Sequence, residues 1–426
     1  MNYLIQNIRL VDPVSGVGER TDLLIEEGVI AAIGPSLQHP DARVIDGKDL
    51  AGCAGLVDMH VHLRQPGFEY KETVATGARA AAGGGFTTVA CMPNTRPVID
   101  CPEGVEYILQ LASEVPDGAR VLPYAAVTLG QKGQEITDFE ALKQAGAVAL
   151  SDDGVPIQNA NVLRDAMLLA KGQGLTIHSH CEDAEMVQNF AVNEGRVSRQ
   201  LRIPGRPAIA EELQVMRDAM LAEETGAAVH ICHISTAKGV DIVRQAKARG
   251  VRVTCETCPQ YFTITQEEVL RQGSMARVNP PLRTQADVEG IRAGLADGAI
   301  EAIVTDHAPH TAEEKSRPLP DAPSGMVGLE TSLALALTGL YHTGLLPLSQ
   351  VIALMSSSPA ALLGLDKGTL AIGRDADLVL FDPDEAWVID KNRFASKGRN
   401  TPFHGRAVQG RVKYTISRGT ILYKED

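Results

Sequence analysis

The sequence predicts a (β/α)8 TIM barrel carrying a small β-sandwich domain built from both chain ends. Three patterns carry this expectation. Short apolar runs alternate with helical patterns through about 300 residues in the middle of the chain. Strand-like segments separated by turns occupy both ends. Residues of metal-ligand type stand at or just past the ends of the apolar runs, where a barrel opens its mouth.

In chain order, residues 2–11, 22–26 and 29–33 read as strands, broken at Asp12-Pro13 and Gly34-Pro35. Residues 376–381, 388–389, 411–417 and 420–424 read the same way. Neither group alone has enough strands to bury a core, so the two are expected to pair. The expected divisions are 1–55, the barrel at 56–365, and 366–426. Barrel strands are expected at 56–61, 86–92, 120–127, 147–150, 175–179, 228–231, 251–254 and 302–305. Helical patterns lie between them at 73–82, 105–113, 162–171, 209–224 and 240–249. A doubly wound open sheet would need a glycine-rich phosphate turn opening a helix after its first strand. Gly83-Gly84-Gly85 precedes a strand instead and reads as a loop between helix and strand.

Composition excludes some function classes. The formal net charge is −13, which opposes general binding to nucleic acid or anionic membranes. An anionic small molecule stays open, because a metal and one arginine reverse the field locally. The seven cysteines form no compact framework, the start of the chain lacks a signal-peptide pattern, and no apolar run is long enough to span a bilayer. A cytoplasmic location is expected.

The chemistry is expected at six residues: His60, His62, Asp153, His180, His233 and Asp306. His60 and His62 are two apart on an extended run and point to one side. The other four follow the fourth, fifth, sixth and eighth strands. Four imidazoles and two carboxylates suit Zn²⁺. If Asp153 bridges, His60, His62 and Asp306 hold one ion and His180 and His233 a second, roughly 3.5–4 Å away. Arg64 follows His62 by two, so it is expected at the same mouth, where a guanidinium can clamp a carboxylate. Cys181 and Cys232 each neighbour a ligand and are expected to turn away. His178 and His307 are expected to pack elsewhere, and residues 309–325 to form a mobile lid.

These residues resemble the amidohydrolase superfamily, and within it the bacterial type I dihydroorotases. The resemblance rests on Asp58-Met-His-Val-His-Leu-Arg64, Met92-Pro-Asn-Thr95, Ser151-Asp-Asp-Gly154, His180-Cys-Glu-Asp183, Cys232-His-Ile-Ser235, Asn279-Pro-Pro-Leu-Arg283, Thr305-Asp-His-Ala-Pro-His310 and Ala322-Pro-Ser-Gly325. It implies reversible, zinc-dependent ring opening of (S)-dihydroorotate to N-carbamoyl-L-aspartate in pyrimidine biosynthesis. It also implies two zinc ions bridged by Asp153 and a hydroxide, with Asp306 as the catalytic proton carrier. Asp152 and Asp153 are both candidates by position, and the resemblance implies Asp153, whose 27-residue spacing to His180 fits the family. By the same likeness His62, Arg64, Asn94, Asn279, His310, Ser324 and Gly325 contact substrate. A homodimer is expected, and docking to aspartate transcarbamoylase is compatible with the resemblance.

Two rival readings stand. Glu256-Thr-Cys-Pro-Gln-Tyr261 looks like hydantoinases and allantoinases. Those relatives typically bridge their metals with a carboxylated lysine on the fourth strand, where this chain has Ala149-Leu-Ser-Asp-Asp-Gly154. A non-catalytic scaffold for the transcarbamoylase would be expected to have lost ligands, and all six are present.

Overall fold

A computed structural model describes residues 2–13 and 16–425. Two parallel sheets make most of the barrel. Strands Leu56–Val61, Phe86–Cys91 and Arg120–Pro123 form one; Ile177–Ser179, Val229–Ile231, Val253–Thr257 and Ala302–Ile303 form the other. Single bridges complete the ring. Leu150 pairs with Ala125 on one side and Ile177 on the other, and Val61 pairs with His307. The fourth strand, expected over 147–150, is therefore reduced to the bridge at Leu150. The third and eighth are likewise shorter than expected, ending at Pro123 and Ile303.

Every residue of Leu56–Val61 and Phe86–Cys91 is buried. Helices cover the outer face and other strands cover the inner, which is why these strands read as continuous apolar runs. The helices begin where the sequence supplies caps. Thr73 accepts the Thr76 N–H to open Val74–Gly83, Thr236 accepts from Gly239 to open Ala237–Ala248, and Thr284 accepts from Asp287 to open Gln285–Asp297. The glycine triplet is the loop expected from sequence. Gly84 caps the helix, and a Cβ there would stand 2.1 Å from the Leu329 carbonyl oxygen.

Strands from both chain ends meet in one eight-stranded sheet. Its order runs Thr420–Lys424, Ala407–Ser417, Leu378–Val388, Ala51–Ala54, Tyr3–Asp12, Gly16–Glu26, Val29–Gly34, with Arg43–Asp46 alongside Tyr3–Asp12. The segments expected at 376–381 and 388–389 merge into one long strand. A separate small core, including Ile5, Ile8, Leu23, Ile25, Leu378, Leu380 and Ile416, fills this module. Among the described residues no helix is long and apolar enough to cross a membrane.

Candidate metal centre and substrate pocket

The six expected ligands converge, and Asp153 is at their centre. Its Oδ1 lies 3.6 Å from His60 Nε2, 3.3 Å from His180 Nδ1 and 3.5 Å from His233 Nε2. Its Oδ2 lies 3.4 Å from His62 Nε2. Asp306 Oδ1 is 3.1 Å from His62 Nε2 and 3.7 Å from His60 Nε2. Burial favours the neutral acid at Asp153, but the surrounding imidazoles, His60 foremost, hold its carboxyl well below the usual range.

These distances fit a shared cation. Two donors about 2.0–2.2 Å from one ion in tetrahedral array stand about 3.4 Å apart, whereas charge-assisted hydrogen bonds are about 2.7–2.9 Å. His60 Nε2, buried and facing Asp153, also has no hydrogen-bond partner, a costly state for a buried polar atom. The donors of His60, His62 and Asp306, and those of His60, Asp153 and His233, each lie within 4.8 Å of one another.

A second layer of polar groups orients these side chains. Glu256, fully buried, accepts from His60 Nδ1 at 2.6 Å and lies 3.2 Å from His230 Nε2. A carboxylate can only accept there, so the His60 Nε2 lone pair is turned to the mouth. Asn94 Oδ1 does the same for His62, 2.9 Å from its Nδ1. His180 Nε2 faces Glu182 Oε2 at 3.5 Å and Asn279 Nδ2 at 3.3 Å. Glu182 is in turn paired with Arg206 at 2.6 Å, and Arg206 also donates to Asn279. Sequence reading missed the roles of Glu256, Glu182 and Arg206. For Glu256 a signal existed: the seventh strand offered the mouth no ligand, yet a carboxylate sits on it.

Backbone geometry contributes as well. Arg64, His233 and Asp306 adopt left-handed φ of 62°, 33° and 47°. Each such residue costs of order 1–3 kcal/mol, and here it swings a side chain to the mouth. Arg64 therefore arrives by a turn beyond the strand end at Val61, not by strand alternation.

One cavity is lined by His62, Arg64, Asn94, Asp153, His180, His233, Asn279, Asp306, Ser324 and Gly325, with Gly154 and Ala308. No lysine lines it. His310 stands behind Arg64, 3.4 Å from its Nη2; its Nε2 is 2.8 Å from the Ser324 carbonyl and its Nδ1 is 3.3 Å from Lys71 Nζ. Burial, then Arg64 and Lys71, hold this imidazole far below its usual range, hence neutral. Gly325 has φ of 132°, and a Cβ there would stand 2.8 Å from the Ala308 Cβ.

Several neighbours behave as expected. Asp152 turns away and accepts from the backbone of Val127 and Thr128. His178 packs inside the barrel against Tyr124 and His230, and His307 bonds Glu72 at 3.3 Å. Cys181 points to Ser179 and Asp218. Cys232 groups with His60 and Glu256 and not with Asp153 or Asp306. Residues 309–325, expected as a mobile lid, are extensively hydrogen-bonded. Lys315 and Asn400 tie them down at several carbonyls.

With this geometry in place, the chain was compared with known proteins. A "Dihydro-orotase-like" family model matches residues 51–239, and an "Amidohydrolase family" model matches 323–423. A curated dihydroorotase of Citrifermentans bemidjiense is 48% identical over the full length of both chains. The chain belongs to the dihydroorotase family. A second member, the dihydroorotase of Pelotomaculum thermopropionicum, is also 48% identical, over 100% of this chain and 99% of its own. Among solved structures, the L-hydantoinase of Arthrobacter aurescens is similar at TM-score 0.88 and 28% identity, covering 99% of this chain and 96% of that one. A D-hydantoinase from Thermus sp. is similar at 0.81 and 27%, covering 98% and 94%. Family membership thus joins the barrel and sandwich of the wider amidohydrolases to a mouth built around Asp153.

Proposed function

We propose that this chain is a metal-dependent dihydroorotase, interconverting (S)-dihydroorotate and N-carbamoyl-L-aspartate in pyrimidine biosynthesis. The supporting observation is the combination of one carboxylate, Asp153, facing four imidazoles with Arg64 lining the same cavity and His310 behind it.

Zinc suits this set of nitrogen and oxygen donors, as two ions sharing Asp153. Metal bound there would polarise a ring carbonyl and supply a nucleophile at neutral pH. The chain's own groups do the rest. Asp306 takes the proton of the attacking group and delivers it to the leaving ring nitrogen; in ring closure it takes the proton of the ureido nitrogen. A positioned carboxylate in this role contributes about 10²–10⁴-fold. Arg64, with neutral His310 and Asn94 beside it, holds the substrate carboxylate. Asn279 and the Ser324–Gly325 backbone hold the ring edge.

The solved hydantoinases favour a second reading, a cyclic amidase for uncharged rings. Zinc-loaded protein assayed with dihydroorotate, hydantoin and allantoin decides between them. Turnover of dihydroorotate at least a hundredfold above the others is expected; preference for either uncharged ring would replace the proposal.

A further inference from the structure

The loop over 309–325 carries His310, Ser324 and Gly325. Beneath it lie two cations that the reaction does not use. Lys315 is 1% exposed and Arg277 is 2% exposed. Lys315 Nζ donates to the carbonyls of Pro323 and Gly325 at 3.0 Å each, and to that of Arg277 at 3.3 Å. Arg277 donates to the Ser324 hydroxyl at 3.3 Å, to the Leu319 carbonyl at 2.7 Å, and to Asn189 Oδ1 at 3.0 Å. The Gly325 N–H donates to the Arg277 carbonyl at 2.9 Å, closing the knot.

Hydrogen bonding here is well satisfied, but neither cation is paired at contact; Asp321 acts on Arg277 and Glu314 on Lys315 only at longer range. Among the described residues neither cation has a carboxylate within ion-pair distance. The nearest acidic neighbour in sequence, Glu314, is committed to Lys71 at 2.9 Å, and Asp321 is exposed. Buried charges are ordinarily paired, because desolvation is expensive. The expense is visible at Lys315: burial, with Arg277 behind it, pushes its ammonium down to about 7. At neutral pH Lys315 is therefore charged only in part, and Arg277, pushed down only to about 10, carries the steadier positive charge. In a chain of net charge −13, their location beneath one wall of the substrate cavity needs a reason.

We propose that Lys315 and Arg277 are specificity-determining residues whose positive charge, unpaired at contact and one hydrogen bond behind Ser324 and Gly325, makes this cavity select carboxylated ligands over uncharged cyclic amides of the same shape. The inference rests on the dihydroorotase reading and deepens it. Arg64 grips one carboxylate directly; the buried pair acts through the field, for which contact is not needed. The open-chain product carries a second carboxylate, so the field matters most in the ring-closing direction. Specificity is a difference of affinities, and a long-range field adds to one member of the pair only.

Calorimetric titration of zinc-loaded protein tests this, with orotate as the carboxylated probe and dihydrouracil as the uncharged one. The wild type is expected to prefer orotate. Lys315→Met should weaken orotate about tenfold and leave dihydrouracil within twofold, and Lys315→Arg should restore orotate binding. Arg277→Gln, which keeps donors without charge, should act in the same direction and serves if Lys315→Met does not fold. Equal weakening of both probes would mean a mechanical clamp and overturn the inference alone. Unchanged orotate binding in folded variants would overturn it too. A wild type indifferent to the carboxylate would overturn the function reading and this inference with it.

Discussion

Asp153 faces four imidazoles from three strand ends, so its position depends on the imidazoles being correctly turned. Glu256 is the strongest of the groups that turn them. Glu256→Gln keeps the volume but replaces an obligate acceptor with a group that can present its amide to His60. Zinc affinity should fall about 10–100-fold, read by competition with a chromogenic chelator; unchanged affinity would remove Glu256 from the metal's support. Asp306→Asn should behave differently. With His60, His62 and Asp153 intact the protein should keep most of its metal, while turnover falls about 10²–10⁴-fold; metal analysis and steady-state rates on one preparation separate the two effects. The ligand-type residues were legible in sequence because each stands at a strand end, where periodicity says which way the chain is going. Glu256 was not, since its partner His60 is 196 residues away. Arg64, His233 and Asp306 reach the mouth through left-handed backbone, which strand alternation does not describe.

At the scale of elements, the substrate loop is held from outside the barrel. Asn400 donates to the carbonyls of Ala308 and Gly325 at 3.0 Å each and accepts the His310 N–H at 3.0 Å. Its own carbonyl accepts the Val327 N–H. Sequence reading treated 309–325 as mobile because it is polar and rich in proline. That composition says nothing about anchors supplied 90 residues later. Asn400→Ala leaves buried backbone groups unpaired at about 1–3 kcal/mol each. The dihydroorotate KM should rise about tenfold with bound zinc unchanged; loss of metal together with affinity would mean a broader collapse. The strands with strong apolar runs, such as Leu56–Val61, were legible to the residue. The fourth was overestimated: only Leu150 pairs, and Asp152 instead bonds the loop of Val127 and Thr128.

For the whole molecule, the barrel and the terminal sheet each have a core, and both were readable from where apolar runs alternate with helices and where they do not. What joins them was not readable. Glu330, half-buried, accepts the Ala395 and Ser396 N–H groups at 2.7 and 3.3 Å and so ties the barrel to the segment before Asn400. Burial raises its carboxyl to about 7, against the opposing pull of those two N–H donors. A carboxyl raised in the folded state contributes stability that is full below its unfolded value and is lost as pH rises through 7. Glu330→Gln, which cannot ionise, should therefore gain on the wild type between about pH 4.5 and 7.5, by no more than about 3 kcal/mol. Denaturant melts at pH 5 and 8 measure this, and parallel curves would show that Glu330 does not titrate with folding.

The anchoring of the substrate loop by Asn400 also sets an order of events during synthesis. All six ligand-type residues precede Asn400 in the chain, so they emerge and can come together before this anchor does. His310 then waits for a partner 90 residues further on, an interval of roughly 5–20 s at ordinary translation rates. A nascent barrel thus passes through a stage in which its six ligand-type residues are available while the loop over 309–325 still lacks its anchor.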